Sequence, residues 1–202
     1  MQPPRPLAST RDVRRRTVLA AVVGTAATLL AGCTGTNAVD QGGGDAGYVT
    51  GPKSVHLIPL GKRSAPPTIA GTGLDGAKLT AASYRGKVVL VNFWTQWCPP
   101  CRAEAPGIQS AYRRYSGDGL QVLGVDVRDV RQLATAFVRN KDLTYPSIFD
   151  PRSRIALSLP AIPITTPSTL VLDRSGRVAV TYARALTGPQ IDTIVARVLA
   201  EK

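Results

Sequence analysis

Residues 87–106 read KVVLVNFWTQWCPPCRAEAP, and a strand, a reactive turn and a helix start meet inside that stretch. Lys87 to Phe93 is a short, nearly continuous apolar run rich in β-branched residues, as expected of a central strand covered on both faces. From Pro99 to about Tyr115 the composition is helical. Cys98 and Cys101 therefore sit at the first turn of a helix that follows a buried strand. The helix dipole and the free N–H groups of that turn stabilise an anion, which lowers the pKa of the first cysteine. Cys98 is the expected nucleophile. Cys101, one turn further in, is expected to be less exposed and to resolve a mixed disulfide. Pro99 and Pro100 fit there because first-turn N–H groups have no intrahelical partner to lose.

Three chemistries use two cysteines at this spacing: a metal half-site, an inert staple and a redox couple. Zinc needs further ligands, and the other candidates are His56 and Cys33, both far along the chain. A bridge between residues three apart closes too short a loop to stabilise much. The strand-to-helix position favours the redox couple, with no metal and no cofactor beyond the Cys98–Cys101 disulfide itself.

The flanking sequence supplies the remaining elements. Leu120 to Asp126 predicts a second strand. Asp129 with Gln132 predicts a capping box for a helix carrying Leu133, Ala134 and Phe137 on one face. Ser168–Asp173 and Val178–Tyr182, joined through Arg174-Ser175-Gly176, predict a hairpin. Thr187 with Gln190 predicts a second capping box, opening a terminal helix with Ile191, Ile194, Val195 and Val198 at helical spacing. The order βαβα then ββα implies an α/β fold, a central mixed β-sheet flanked by helices. Trp94 and Trp97 are expected to pack around the site, Trp97 also offering a docking surface for a partner.

The first 32 residues are expected to be a targeting signal. Arg11, Arg14, Arg15 and Arg16 precede an apolar run, Thr17–Leu30, that is short for a bilayer span. Leu30-Ala31-Gly32-Cys33 resembles the lipobox of bacterial lipoproteins, which implies lipidation at Cys33. The alternative is an uncleaved anchor with an incidental cysteine. Arg15-Arg16-Thr17-Val18-Leu19 is also similar to a twin-arginine export signal without its usual aromatic residue. Residues 33–64, centred on QGGGDAG, are expected to be a flexible tether that includes His56, and 65–202 one compact domain. The formal charge of +12 falls to +8 without residues 1–32, which hold five arginines and one aspartate. The remaining lysines and arginines are interspersed with acids, which argues against nucleic acid and suits an anionic lipid surface or plain solvent. Export would also permit a cysteine pair to sit oxidised.

Together, APPTIAG, LDGAKLTAASYRGKVVLVNFWTQWCPPCRAEAP, LQVLGVDV, YPSIFD and TTPSTLVLDRSGRV resemble the thioredoxin-like fold, and within it the extracytoplasmic ResA, TlpA and CcmG branch of thiol-disulfide oxidoreductases. That resemblance implies an enzyme at the outer face of the cell membrane, acting on thiols and disulfides of exported proteins. It further implies a reductant of apocytochrome c, fed by a membrane thiol carrier. It adds Glu104 as a proton donor or acceptor for Cys101, and Pro167 as a cis proline opposite the disulfide that exposes the Thr166 backbone to a substrate chain. Trp97 and Pro99 would border the same surface. Asn92 stands where cytoplasmic thioredoxins carry a buried aspartate, which leaves Glu104 as the acid or base. The same residues also permit a disulfide-forming oxidant, a thiol peroxidase with Thr95 near Cys98, or a binding module with a vestigial disulfide.

Overall fold

A computed structural model describes residues 49–50, 55–159 and 165–201. The strand predicted before the cysteines is β5 (Val88–Trp94), and all seven of its residues are buried. Its alternating side chains feed two cores. Val88, Leu90 and Trp94 face one cluster, while Val89, Val91 and Phe93 face the other.

Parallel to β5 runs β6 (Leu120–Val127), then β7 (Ser147–Asp150), in the register Trp94↔Asp126↔Phe149. The connections are α1 (Pro99–Tyr115) and α2 (Arg131–Asn140). On the other side of β5, β8 (Ser168–Leu172) and β9 (Val178–Tyr182) form the expected antiparallel hairpin. Its turn carries Gly176 at φ 74°, a conformation that favours glycine. α4 (Gly188–Leu199) opens with the Thr187/Gln190 capping box. Residues of α1, α2 and α4 enter one core, and the opposite core is closed by Ile69, Ala81 and the short α3 (Arg154–Leu157). α1 and α4 approach closely at Gly107, where a Cβ would lie 3.3 Å from Ile191 Cδ1. A separate hairpin, β3 (Ala70–Thr72) with β4 (Lys78–Thr80), bridges to the sheet at Gly73↔Ile148.

Two expectations are corrected. The tether was expected to reach residue 64, yet β2 (Val55–Leu57) pairs with β9 and with β1 (Val49–Thr50), extending the sheet to the order β1-β2-β9-β8-β5-β6-β7. The open edge of β9 accepts these strands through backbone bonds, which need few apolar side chains. His56, expected in solvent within the tether, is an exposed residue of β2 opposite Thr181. The second correction concerns Asp129. The residue before α2 is Val130, with no side-chain cap, and Leu133 is exposed while Ala134 and Phe137 are buried. Asp129 is committed elsewhere, as described below. Ser147–Asp150 adds a strand that its short, mixed composition does not announce.

Residues 1–32, Cys33 and the centre of the expected tether lie outside the described residues. Among the described residues, no helix is long and apolar enough to cross a membrane.

Candidate active site

Cys98 is the N-cap of α1, and Pro99 and Pro100 occupy its first turn. The two cysteines form a disulfide, and the Cys101 N–H points at Cys98 Sγ from 3.2 Å. That donor would equally serve a thiolate at Cys98 once the bridge is opened. The expected difference in exposure is slight, 4% for Cys98 against 2% for Cys101. Trp97 is 54% exposed beside them, and Pro99 is also exposed.

Facing the disulfide is the segment before β8. The Thr166–Pro167 peptide is cis, and the Thr166 carbonyl oxygen lies 3.7 Å from Cys98 Sγ. A bridged sulfur has no proton to give, so this contact becomes a hydrogen bond only when Cys98 is a thiol. Pro167 itself is buried, whereas Thr166 is partly exposed.

Glu104 stands one turn after Cys101 on the buried face of α1, at 2% exposure. Its Oε1 accepts from Asn92 Nδ2 at 2.7 Å, and its Oε2 accepts from the Leu186 N–H at 2.9 Å. No cation is among these partners. Burial pushes its pKa from 4.5 up to about 7, although the Leu186 and Asn92 donors pull the other way. Asn92 also donates to Thr169 Oγ1 at 3.3 Å, so the amide joins α1 to β8. A carboxyl in this setting can give or take a proton near neutral pH. Tyr145 is buried in the same core; burial first and the Glu104 charge second hold its phenol above the ordinary range.

Several residues contribute to the site in roles that the sequence did not suggest. Asp129 Oδ2 accepts from Thr95 Oγ1 at 3.0 Å and from the Gln96 N–H at 2.7 Å, while its Oδ1 accepts from the Val130 N–H at 2.7 Å. It thereby ties the loop after β6 to the loop that delivers Cys98. In the same loop, the Arg128 carbonyl accepts from Trp97 Nε1 at 3.1 Å, and the Arg128 guanidinium donates to Thr166 Oγ1 at 3.4 Å. Asp126 is fully buried next to Trp94, and neither oxygen has a hydrogen-bond partner among the described residues. Burial, then the negative charge of Asp129, pushes its pKa up to about 9. An acid inside the apolar run LGVDV was the available signal. Beneath the site, Gly124 leaves room for Ser147 Oγ and for Trp94 Nε1, which a Cβ would meet at 2.8 Å. Among the described residues, no three His, Cys, Asp or Glu side chains gather where they could hold a metal.

Comparison with known proteins agrees with this geometry. The sequence pattern of the AhpC/TSA family matches residues 63–181. The thiol-disulfide oxidoreductase ResA of Bacillus thuringiensis subsp. konkukian is 30% identical over 132 residues, 65% of this chain and 72% of that protein. A DsbF homologue from Corynebacterium diphtheriae superposes with a TM-score of 0.68 at 34% identity, over 74% of this chain and 96% of that one. A secreted thiol-disulfide isomerase from Corynebacterium glutamicum gives a TM-score of 0.70 at 32% identity, over 76% and 98% respectively.

Proposed function

The chain belongs to the AhpC/TSA family, among the thiol-disulfide oxidoreductases of the ResA type, and from that membership we propose that it reduces disulfides of exported proteins outside the cytoplasm, apocytochrome c among them. The observation that carries the reading is the Cys98–Cys101 pair at a helix N-terminus, 3.7 Å from the carbonyl that precedes a cis proline. A substrate chain laid along Thr166 would bring its own sulfur against Cys98.

The reaction balances as two exchanges. Cys98 thiolate attacks a substrate disulfide, one new S–S bond forms, and the second substrate sulfur leaves as a thiolate that takes a proton. Cys101 then loses its proton, attacks Cys98 Sγ, and releases the first substrate thiol. Two electrons have passed from the enzyme dithiol to the substrate, and a membrane dithiol carrier returns them. Glu104, one turn from Cys101 and pushed up to about 7 by burial, would accept the Cys101 proton. Lipidation at Cys33 would hold the enzyme at the outer face of the membrane; a Cys33→Ser chain that still partitions with membranes would remove that anchor from the account.

Two observations favour exchange over the peroxidase alternative: Thr95 Oγ1 is engaged by Asp129, and Cys98 has its partner sulfur one turn away. The direction of electron flow is tested by the equilibrium reduction potential of the Cys98/Cys101 couple. A value near or below about −270 mV is expected of a reductant, whereas one near about −120 mV makes the protein a disulfide donor and overturns the cytochrome reading.

A further inference from the structure

Resting on the exchange reading above, we infer that Arg128 determines substrate specificity: its guanidinium receives a carboxylate carried next to the target cysteine of the substrate segment. Two observations bear on this. The first is conformational. Arg128 has φ 52°, a left-handed backbone in which glycine is at ease and a long side chain is strained. A glycine would suit the same backbone, so Arg128→Gly removes the guanidinium without straining the turn.

The second observation is placement. The exposed guanidinium reaches Thr166 Oγ1, while the Thr166 carbonyl touches Cys98. A chain pairing with the Thr166 backbone must therefore pass the Arg128 charge within about one residue of the sulfur under attack. The backbone carbonyl of Arg128 meanwhile holds Trp97 Nε1, so the charge and the exposed indole are set by one residue.

The surrounding rim has the character that such a partner needs. Trp97, Val130 and Leu133 are three of the five large apolar side chains that stand exposed among the described residues. Val130 follows Arg128 by two positions, and Leu133 lies one turn further along α2. Arg102 adds a second exposed guanidinium, bonded to the Gln96 carbonyl beside the cysteine loop. Of the nearby carboxylates, Glu104 and Asp126 are buried, whereas Asp129 is half-buried and keeps its charge, with its oxygens turned to Thr95, Gln96 and Val130 and the Arg128 guanidinium directed to Thr166. An apolar rim bearing two cations fits a cysteine segment with acidic and apolar neighbours, and it disfavours one with lysine there.

The test uses the full chain, kept reduced by dithiothreitol, and two synthetic peptides closed by a C-x-x-C disulfide that differ only in Glu or Lys after the second cysteine. Expected is a preference of about three- to fivefold in kcat/KM for the Glu peptide at low salt, carried by KM and shrinking at high salt. The Glu-to-Lys ratio falls to about one in Arg128→Gly, whose backbone suits the turn, and inverts in Arg128→Glu. A wild-type ratio near one, or a ratio preserved in Arg128→Gly, overturns the inference while leaving the exchange reading standing. If the wild-type chain reduces neither these peptides nor the uncharged hydroxyethyl disulfide, the exchange reading fails and this inference with it.

Discussion

Glu104 and Asp173 are both buried carboxylates, one beside the disulfide and one just past the far end of β8, and the protein holds them in opposite ways. Glu104 receives one amide and one backbone N–H, and burial raises its pKa to about 7. Burial would raise Asp173 as well, but the Arg177 N–H and the guanidinium groups of Arg63 and Arg177 outweigh it and draw its pKa below the ordinary value. Arg63, 3% exposed, bonds Asp173 at 3.0 Å and Glu201 twice at 2.7 Å, and its Nε donates to the Ile58 carbonyl. The far end ties the segment after β2 to the β8–β9 turn and to the residues after α4 through ion pairs. The site end keeps a carboxyl whose proton can come and go. Two things separate them: Glu104 lies deep in the core with neutral donors only, whereas Asp173 sits in a turn close to the surface with two guanidinium groups.

The largest effect should come from removing the chemistry at the site end. Cys98→Ser is expected to lose all disulfide turnover, measured on a peptide disulfide, while the unfolding midpoint in reductant stays close to that of the reduced wild type. Residual turnover above background would mean that Cys98 is not the nucleophile. At the other end, Arg63→Ala should leave turnover nearly intact and cost about 2 kcal/mol in urea unfolding, because Glu201 loses the Arg63 cation and Asp173 keeps only Arg177. A loss below about 0.5 kcal/mol would show that the cluster behaves as an ordinary exposed ion pair.

The two ends also predict opposite pH signs. The folded-state pKa of Glu104 is raised, so between pH 4.5 and 7 the unfolded chain loses a proton that the folded one keeps, and stability falls as pH rises through that window. At 1.36 kcal/mol per unit the fall approaches about 3 kcal/mol. Glu104→Gln should abolish it, so the wild-type minus variant difference declines from pH 4.5 to 7 and is flat above; parallel curves would refute the raised pKa. The fall contributed by Asp126 is common to both chains and cancels in the difference. Asp173 is depressed, so its contribution is present above the ordinary carboxylate pKa and disappears as pH drops through the lowered one, a loss that Arg63→Ala should blunt. The smallest effect links the site to its neighbouring helix. Thr187→Ala removes half of the α4 capping box next to Leu186 and should cost about 1 kcal/mol. An unchanged midpoint would show that packing alone positions the Leu186 donor.

Much of this arrangement could be read residue by residue. The run Val88–Trp94 declares a strand buried on both faces, and Thr187 with Gln190 marks a helix start, because both signals act within a few residues. Asp129 with Gln132 carries the same local signal and is read wrongly. A distant demand, the Thr95 hydroxyl and the Gln96 amide, captures the carboxylate, and α2 begins without it. β2 escaped notice for a related reason, since its pairing with β9 depends on an edge more than a hundred residues away.

The sequence by itself determined the β5–α1 unit, the position of Cys98 and Cys101 at a helix start, and the β8–β9 hairpin, all of them products of short-range periodicity and turn chemistry. The family resemblance had put Thr166 opposite Cys98, 68 positions away, and only the tertiary structure decided that Glu104 meets Leu186 across 82 positions and that Arg128 and Asp129 bind both site loops. Those contacts follow from strand order. Placing β8 against β5, and β6 on its other side, brings loops from three parts of the chain to one end of the sheet, where partners choose one another by desolvation and hydrogen-bond demand that no local pattern encodes.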